Sequence, residues 1–169
     1  VLYIHPKIYK DDRGLFFESF NSELQDILPK FVQDNESVSK KGVIRGLHYQ
    51  WDKPMGKLIR VTQGSGFSVL VDIRKDSPTY KKWKKFKLCS IEHCILWSPP
   101  GFAHGFLAIE DNTVLCYKTT ALHNPKTEGA IYPLDKDLNI NWGVDNNQII
   151  LSKKDSNAPN FKEYINNPK

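Results

Sequence analysis

Long apolar runs are missing from the sequence. No stretch approaches the roughly 18 consecutive apolar residues that a membrane-spanning helix requires. The opening segment VLYIHPKIYKDD also lacks the charged start and apolar stretch of a secretory signal. We therefore expect a soluble, cytoplasmic protein with no membrane partner. Its 169 residues, 40% of them hydrophobic and 25% charged, predict that residues 1–169 form a single domain.

Cysteine and arginine are both scarce. The three cysteines are odd in number and lack CxxC spacing, so they predict buried thiols rather than a disulfide or a zinc site. The formal charge is +5, but only 4 of the 24 basic residues are arginine. The lysine-rich run 81–87 divides over two faces at strand spacing and has no aromatic platform. We therefore expect no nucleic-acid partner.

Helical periodicity is confined to one segment, 22–28, where Asn21 or Ser22 provides a cap and Pro29 ends the helix. Alternating apolar and polar residues dominate the middle of the chain, between turn signals rich in Gly, Pro, Asp and Asn. These predicted strands are 57–63, 67–74, 83–90, 94–97, 106–110 and 113–119. Many short strands predict an all-β sandwich or small barrel, over which the polar segment from residue 146 forms a tail.

The segment GVIRGLHYQ at 42–50 contains an isolated His48, with Arg45 three residues before it. In a regular strand these two side chains face opposite sides, unless Gly46 marks a bulge that rotates the chain. His104 follows a rigid Pro-Pro-Gly turn, and Tyr117 shares a strand face with Leu115. Taken singly, such residues are more often structural than catalytic.

Five motifs follow one another in the order typical of dTDP-4-dehydrorhamnose 3,5-epimerases, and nearly the whole chain resembles that family. The motifs are RGLHYQ (45–50), KLIRV (57–61), VDIRKDSPTY (71–80), PGFAHGF (100–106) and YKTT (117–120). The likeness extends to DRG (12–14), FVQDN (31–35) and LSKKD (151–155). The resemblance implies a cupin fold, which is a double-stranded β-helix or jelly roll, with short peripheral helices, working as a homodimer.

The resemblance also implies a reaction, the conversion of dTDP-4-dehydro-6-deoxy-D-glucose to dTDP-4-dehydro-L-rhamnose by inversion at C3 and C5. Both carbons are α to the C4 ketone, so their protons are acidic enough to be removed and replaced on the opposite face of the ring. The reaction requires a base, an acid on the other side, and a positive group at the ketone oxygen. We expect no cofactor, since no redox step occurs.

Four residues match the catalytic positions of the resembled family. His48 matches the base, because a neutral imidazole accepts a proton near pH 7. Asp155 matches the carboxylate that fixes the tautomer of that base and stabilises its imidazolium. Tyr117 matches the acid, and Lys57 matches the cation near the enolate oxygen.

Eight further residues match positions that bind substrate. Arg13 and Arg45 match residues that grip the diphosphate, a task that suits the planar guanidinium. In such enzymes the segment 13–18 can reach the neighbouring site of the homodimer. His104 matches a residue lining the sugar pocket. The matches to nucleotide or sugar contacts are Phe16, Glu18, Gln33, Asn35 and, with a changed side chain, His123.

Two departures leave alternatives open. After YKTT the family commonly continues with an acidic residue and one or two tyrosines, whereas this chain has Ala121, Leu122 and His123. A 3-epimerase acting on a related dTDP-4-keto-6-deoxyhexose is therefore the alternative.

Many cupins bind a metal through an HxH pair, but the residue two positions after His48 is Gln50. We therefore expect no metal, and a metal-dependent cupin oxygenase or isomerase is the weaker alternative.

Overall fold

The computed structural model describes residues 1–167, which form twelve strands and three short α-helices. The strands are Leu2–Ile4 (β1), Ile8–Asp11 (β2), Gly14–Phe17 (β3), Gln33–Ser39 (β4), Ile44–Gln50 (β5), Lys57–Gln63 (β6), Ser65–Asp72 (β7), Trp83–Cys89 (β8), Ile95–Ser98 (β9), Phe102–Ala108 (β10), Thr113–Thr119 (β11) and Glu128–Ala130 (β12). The helices are Ser22–Ile27 (α1), Lys153–Ser156 (α2) and Phe161–Asn166 (α3), with a 3₁₀ turn at Asn146–Gln148.

Two antiparallel sheets dominate the fold. The first has the strand order β1-β9-β6-β11-β4 and the second the order β12-β5-β10-β7-β8, while β2 and β3 form a separate hairpin. The prediction of an all-β protein with short peripheral helices is confirmed, including α1 with Asn21 as its N-cap. Several predicted strand boundaries were wrong by one or two residues, as in β7, β8 and β9, and that of β10 by four. β10 begins at Phe102 rather than at residue 106, because Phe102, directly after the Pro-Pro-Gly turn, already pairs with Asp72 of β7.

Apolar side chains pack in three places. One cluster, which includes Leu70, Phe106 and Leu115, contains residues of both sheets and fills the space between them. A second joins the outer face of the second sheet to the C-terminal segment, and a third lies under α1 on the first sheet. The three cysteines are free thiols, and two of them are buried as expected, but Cys116 is only half-buried. No helix within residues 1–167 has the length and apolar character needed to cross a bilayer.

A bulge at Gly46 reshapes β5. The pairing register of β5 with β10 shifts between His48 and Arg45. Gly46 lies at this shift with a φ of 121°, in the region that favours glycine, and a Cβ there would lie 2.5 Å from the carbonyl oxygen of His104. The additional residue turns Arg45 and His48 toward the same cavity, whereas a regular strand would direct them to opposite faces.

The C-terminal segment runs back along the second sheet. Ile150 forms a parallel bridge with Val43, just before β5 begins. Ser152 then caps α2 by accepting a hydrogen bond from the N–H of Asp155. Phe161 of α3 packs into the outer cluster of the second sheet. The tail that the sequence predicts is therefore attached to the sheet, and it carries Asp155 back to β5.

Candidate functional site

A cavity of about 520 Å³ opens between the two sheets. Polar and charged side chains from both sheets and from the C-terminal segment line it. They are Ser37, Arg45, His48, Lys57, His104, Tyr117, Glu128, Ser152, Lys154 and Asp155. The four predicted catalytic residues lie between positions 48 and 155 in the sequence. The fold brings all four of them to one cavity.

His48 and Asp155 form a hydrogen-bonded pair. His48 Nε2 lies 2.6 Å from Asp155 Oδ1, with the aspartate buried and the histidine half-buried in the cavity wall. Burial alone would raise the pKa of the Asp155 carboxyl, but hydrogen bonds from His48, Ser152 and the Gly46 N–H hold that pKa below its usual value. The ionised carboxylate accepts the Nε2 proton, so Nδ1 of His48 is left as the nitrogen able to accept a proton.

Tyr117 approaches the cavity from the opposite sheet. It lies on β11 of the first sheet, whereas His48 lies on β5 of the second. Burial and the nearby Glu128 carboxylate raise the pKa of the Tyr117 phenol, against the opposing effect of Arg45. The phenol therefore keeps its proton at neutral pH and can donate it. The cavity thus has a proton acceptor on one wall and a proton donor on the other.

Lys57 and His104 add one cation and one neutral polar group. Lys57 begins β6, and its Nζ lies 5.9 Å from the ring centre of Tyr117. Burial lowers the pKa of Lys57 to about 8, although Glu128 acts in the other direction. His104 is buried on β10 opposite His48, and burial together with the charges of Lys57 and His48 holds its pKa well below the usual value. Lys57 is thus mainly charged at pH 7, whereas His104 is neutral.

Three side chains meet at the rim of the cavity. Glu128 accepts a hydrogen bond from Lys154 Nζ and lies 3.6 Å from His123 Nε2. Burial would raise the pKa of Glu128, but Lys154 and the neighbouring histidines hold it below its usual value. Sequence reasoning gave neither Glu128 nor Lys154 a role. Lys154 belongs to the LSKKD motif, so the resemblance could have indicated that it lies at the site. Glu128 lies in a three-residue strand with no periodic pattern, and the sequence does not mark it.

Arg45 spans the mouth of the cavity from one sheet to the other. Its Nε donates to Ser39 Oγ and its Nη2 to the Val38 carbonyl, both at 3.0 Å. Within residues 1–167 no hydrogen bond engages its Nη1, so this end of the guanidinium is available to an anion. Arg74, by contrast, is bound to the Asp72 carboxylate, which anchors a turn.

Six of the eight predicted binding residues do not line the cavity within this single chain: His123, which lies at its rim beside Glu128, and five residues near the N-terminus. Arg13 and Phe16 lie on the exposed β2–β3 hairpin, where the Arg13 side chain is 90% accessible. Glu18 follows the hairpin and accepts a hydrogen bond from Asn21. Gln33 and Asn35 lie on the edge strand β4, joined by a 2.6 Å hydrogen bond, with Asn35 opposite Tyr117 in register. The last two are therefore near the cavity, and the hairpin residues are not part of it.

Two serines near the site were also missed from the sequence. Ser37 Oγ lines the cavity and, among residues 1–167, is a buried side-chain oxygen with no hydrogen-bond partner. Ser68 Oγ lies 3.2 Å from His104 Nε2. Neither serine has a sequence signal beyond its place in a strand. Among the described residues, 1–167, no three His, Cys, Asp or Glu side chains converge in a geometry that could hold a metal ion.

A family model and a curated relative both match this chain, and they carry the same description. The family model described as dTDP-4-dehydrorhamnose 3,5-epimerase matches residues 1–163. Among curated proteins, the dTDP-4-dehydrorhamnose 3,5-epimerase of Methanothermobacter thermautotrophicus is 43% identical over 164 residues, which cover 95% of this chain and 89% of that protein.

Solved structures agree over nearly the whole chain. The dTDP-6-deoxy-D-glucose-3,5-epimerase of Legionella pneumophila in complex with dTDP-4-keto-L-rhamnose has a TM-score of 0.89 and 44% identity, covering 95% of this chain and 87% of that one. A 3'-monoepimerase from Streptomyces bikiniensis in complex with dTDP-quinovose has a TM-score of 0.90 but 29% identity, with coverages of 97% and 85%. These likenesses confirm the cupin fold expected from the sequence.

Proposed function

The chain belongs to the dTDP-4-dehydrorhamnose 3,5-epimerase family, and on that premise we propose that it converts dTDP-4-dehydro-6-deoxy-D-glucose to dTDP-4-dehydro-L-rhamnose. The observation that carries this proposal is the pairing of a proton acceptor and a proton donor on opposite walls of one cavity. Inversion at carbon requires removal of a proton from one face and delivery to the other, which this arrangement can perform.

His48 is the base in this proposal. The protons on C3 and C5 are acidic because the C4 ketone accepts the electrons of the broken C–H bond and becomes an enolate. Nδ1 of His48 takes the proton, and the ring becomes an imidazolium whose charge the Asp155 carboxylate stabilises from 2.6 Å. Supporting this role, Asp155 is ionised and buried, so its charge acts in a medium of low polarity.

Tyr117 is the acid. Its phenol gives a proton to the enolate carbon from the face opposite His48, and the enolate electrons form the new C–H bond. The phenolate then regains a proton from water, while the imidazolium of His48 loses its proton to water. The raised pKa of Tyr117 supports this assignment, since the side chain enters each cycle protonated.

Lys57 stabilises the enolate. Its buried ammonium group lies beside the proposed acid Tyr117, and a fixed cation lowers the energy of the developing oxyanion. His104 lines the sugar pocket beside it. Neither residue needs to give up a proton in the reaction, so both can act as preorganised partners of the C4 oxygen.

The dTDP portion requires a second set of contacts. Arg45 is proposed to bind the diphosphate with Nη1, the guanidinium nitrogen that no hydrogen bond engages within residues 1–167. Gln33, Asn35 and His123 are proposed to contact the nucleotide or sugar from the cavity edge. A bound dTDP-sugar in the Legionella pneumophila relative supports this substrate class.

A homodimer completes the proposal. Arg13, Phe16 and Glu18 match binding positions of the family but lie outside the cavity of their own chain. The β2–β3 hairpin pairs with no other strand in residues 1–167, and Phe16 is 64% exposed on it. We propose that the hairpin docks on a second copy and delivers Arg13 to the diphosphate in that copy's cavity.

We propose that residues 1–169 act as one domain in the cytoplasm, without a metal or other cofactor and without a nucleic-acid partner. The lysine-rich run supports the last point, because Lys84 and Lys85 stack over different aromatic rings, Phe86 and Phe67, and thus do not form one strip.

The 3-epimerase alternative is less favoured, because identity is 44% with a 3,5-epimerase and 29% with a monoepimerase. One experiment decides between them: incubation of the protein with dTDP-4-dehydro-6-deoxy-D-glucose in heavy water, followed by NMR of the product. We expect dTDP-4-dehydro-L-rhamnose with deuterium at both C3 and C5. Deuterium at C3 alone would assign a 3-epimerase, and no deuterium at either carbon would refute epimerisation of this substrate.

A further inference from the structure

Ser68 is a buried residue next to the site to which the mechanism above gives no role. It lies on β7, which pairs with β10, and its side chain is completely buried. Its Oγ lies 3.2 Å from Nε2 of His104. Within residues 1–167, that ring nitrogen is the only hydrogen-bond partner of the Ser68 hydroxyl.

The contact between Ser68 and His104 has a preferred direction. A serine hydroxyl has one hydrogen to donate, and a neutral imidazole has one N–H and one acceptor nitrogen. If Nε2 carried the proton and donated it, the Ser68 hydrogen would be buried without an acceptor, which costs free energy. If Ser68 donates to Nε2, each hydrogen at the contact is paired. Nε2 is then unprotonated, and Nδ1 carries the ring proton.

The surroundings of His104 support a neutral ring. The imidazole is buried, and Lys57 and His48 disfavour a further positive charge beside them. No hydrogen bond engages its Nδ1 in the described chain, although the residue lines the cavity. A neutral Nδ1–H group is therefore left for a ligand, next to the cation of Lys57.

We propose that Ser68 is a positioning residue that holds His104 as the Nδ1–H tautomer, so that this N–H joins Lys57 in stabilising the C4 oxygen of the enolate. The kinetic consequence rests on the proposed function, whereas the tautomer does not. A neutral donor fixed in direction stabilises the oxyanion without protonating it, so the enolate remains available for proton delivery to carbon.

The tautomer is tested first, in the substrate-free wild-type protein, by long-range ¹H–¹⁵N correlation NMR with ¹⁵N-labelled histidine. The His104 signals are assigned by their loss in His104→Asn. We expect a protonated Nδ1 and an unprotonated Nε2. A protonated Nε2 would overturn the proposal, and this result requires neither a folded Ser68 variant nor any activity.

The consequence is tested with Ser68→Ala. We expect a mixture of His104 tautomers, a kcat reduced about tenfold and a nearly unchanged KM. The matched control is Ser65→Ala, which removes another buried hydroxyl from β7, one bonded to Glu110 outside the cavity, and it should leave kcat unchanged. An unchanged tautomer and kcat in Ser68→Ala would refute the role. If the wild-type protein fails to epimerise the sugar nucleotide, the proposed function fails, while the NMR result still decides the tautomer.

Discussion

Asp155 Oδ1 lies 2.6 Å from His48 Nε2, although the two residues are 107 positions apart in the chain. The parallel bridge from Ile150 to Val43 and the cap from Ser152 bring the aspartate to this position. The contact unites a strand residue with the C-terminal tail. The tail therefore supplies the group that orients the base.

Asp155→Asn removes the charge while keeping the size of the side chain. We expect kcat to fall about 100-fold, because an amide stabilises the imidazolium poorly and permits the wrong tautomer of His48. Steady-state epimerisation is the measurement, with thermal unfolding as the check on folding. Asp137→Asn, at an exposed position, is the matched control. A folded Asp155→Asn variant with wild-type kcat would contradict the role of the pair.

The pKa of Lys57, lowered to about 8 by burial, predicts an alkaline limb in the pH profile. The lysine is a cation below this pKa, so kcat/KM should fall as the pH rises through about 8 and the charge is lost. Lys57→Met should lower kcat/KM about 100-fold and remove this limb. Lys87→Met, on the exposed part of β8, should keep both the rate and the limb. A limb near 8 that persists in Lys57→Met would assign it to another group.

Tyr117→Phe separates the two proton transfers. His48 would still remove a proton, but no phenol would deliver one to the opposite face, so product formation should fall about 100-fold. In heavy water the enolate would recapture deuterium from His48, and the unreacted substrate should become labelled. Mass spectrometry of recovered substrate and product measures both quantities. Tyr132→Phe, which removes a phenol hydroxyl outside the cavity lining, is the control. Product formation near the wild-type rate would exclude Tyr117 as the acid.

Arg13 provides a test of the homodimer. Arg13→Ala and His48→Ala should each be nearly inactive at low substrate concentration. Mixed and re-equilibrated in equal amounts, they should recover about a quarter of wild-type activity, because half of the dimers are mixed and each mixed dimer has one complete site. Activity no higher than the mean of the two variants would show that Arg13 does not act in a second copy's cavity.

Much of the fold follows from local pattern. Strands such as β6, β8 and β11 were predictable because one face of each meets an apolar core, so that apolar and polar residues alternate. β4 was not predicted, since the sequence QDNESVS has polar residues on both faces. Its inner face borders the cavity, where Gln33 and Asn35 make polar contacts instead of packing into a core.

The site was predictable mainly through the resembled motifs. His48, Lys57, His104, Tyr117 and Asp155 do line one cavity, although their roles stay predictions. A shared motif does not imply a shared task, however. The VDIRKDSPTY segment lies at a turn in which the Asp72 carboxylate accepts hydrogen bonds from neighbouring side chains, and it contributes no residue to the cavity lining.

Other parts of the site depend on tertiary contacts that no local pattern encodes. The bulge at Gly46 decides that Arg45 and His48 face the same cavity, and its sequence signal is a single glycine. Glu128 meets Lys154 only because β12 pairs with β5, next to the returning tail. Such pairings between distant segments are fixed by the packed fold.

In the proposed mechanism, the imidazole of His48 removes the protons from both carbons. The most direct measurement is deuterium incorporation at C3 and C5 of dTDP-4-dehydro-6-deoxy-D-glucose in heavy water, catalysed by wild-type protein and by His48→Ala. We expect exchange at both carbons in the wild type and a loss of about 1,000-fold at both in the variant, with dTDP binding retained by calorimetry. Exchange at either carbon at the wild-type rate in His48→Ala would show that another group removes that proton.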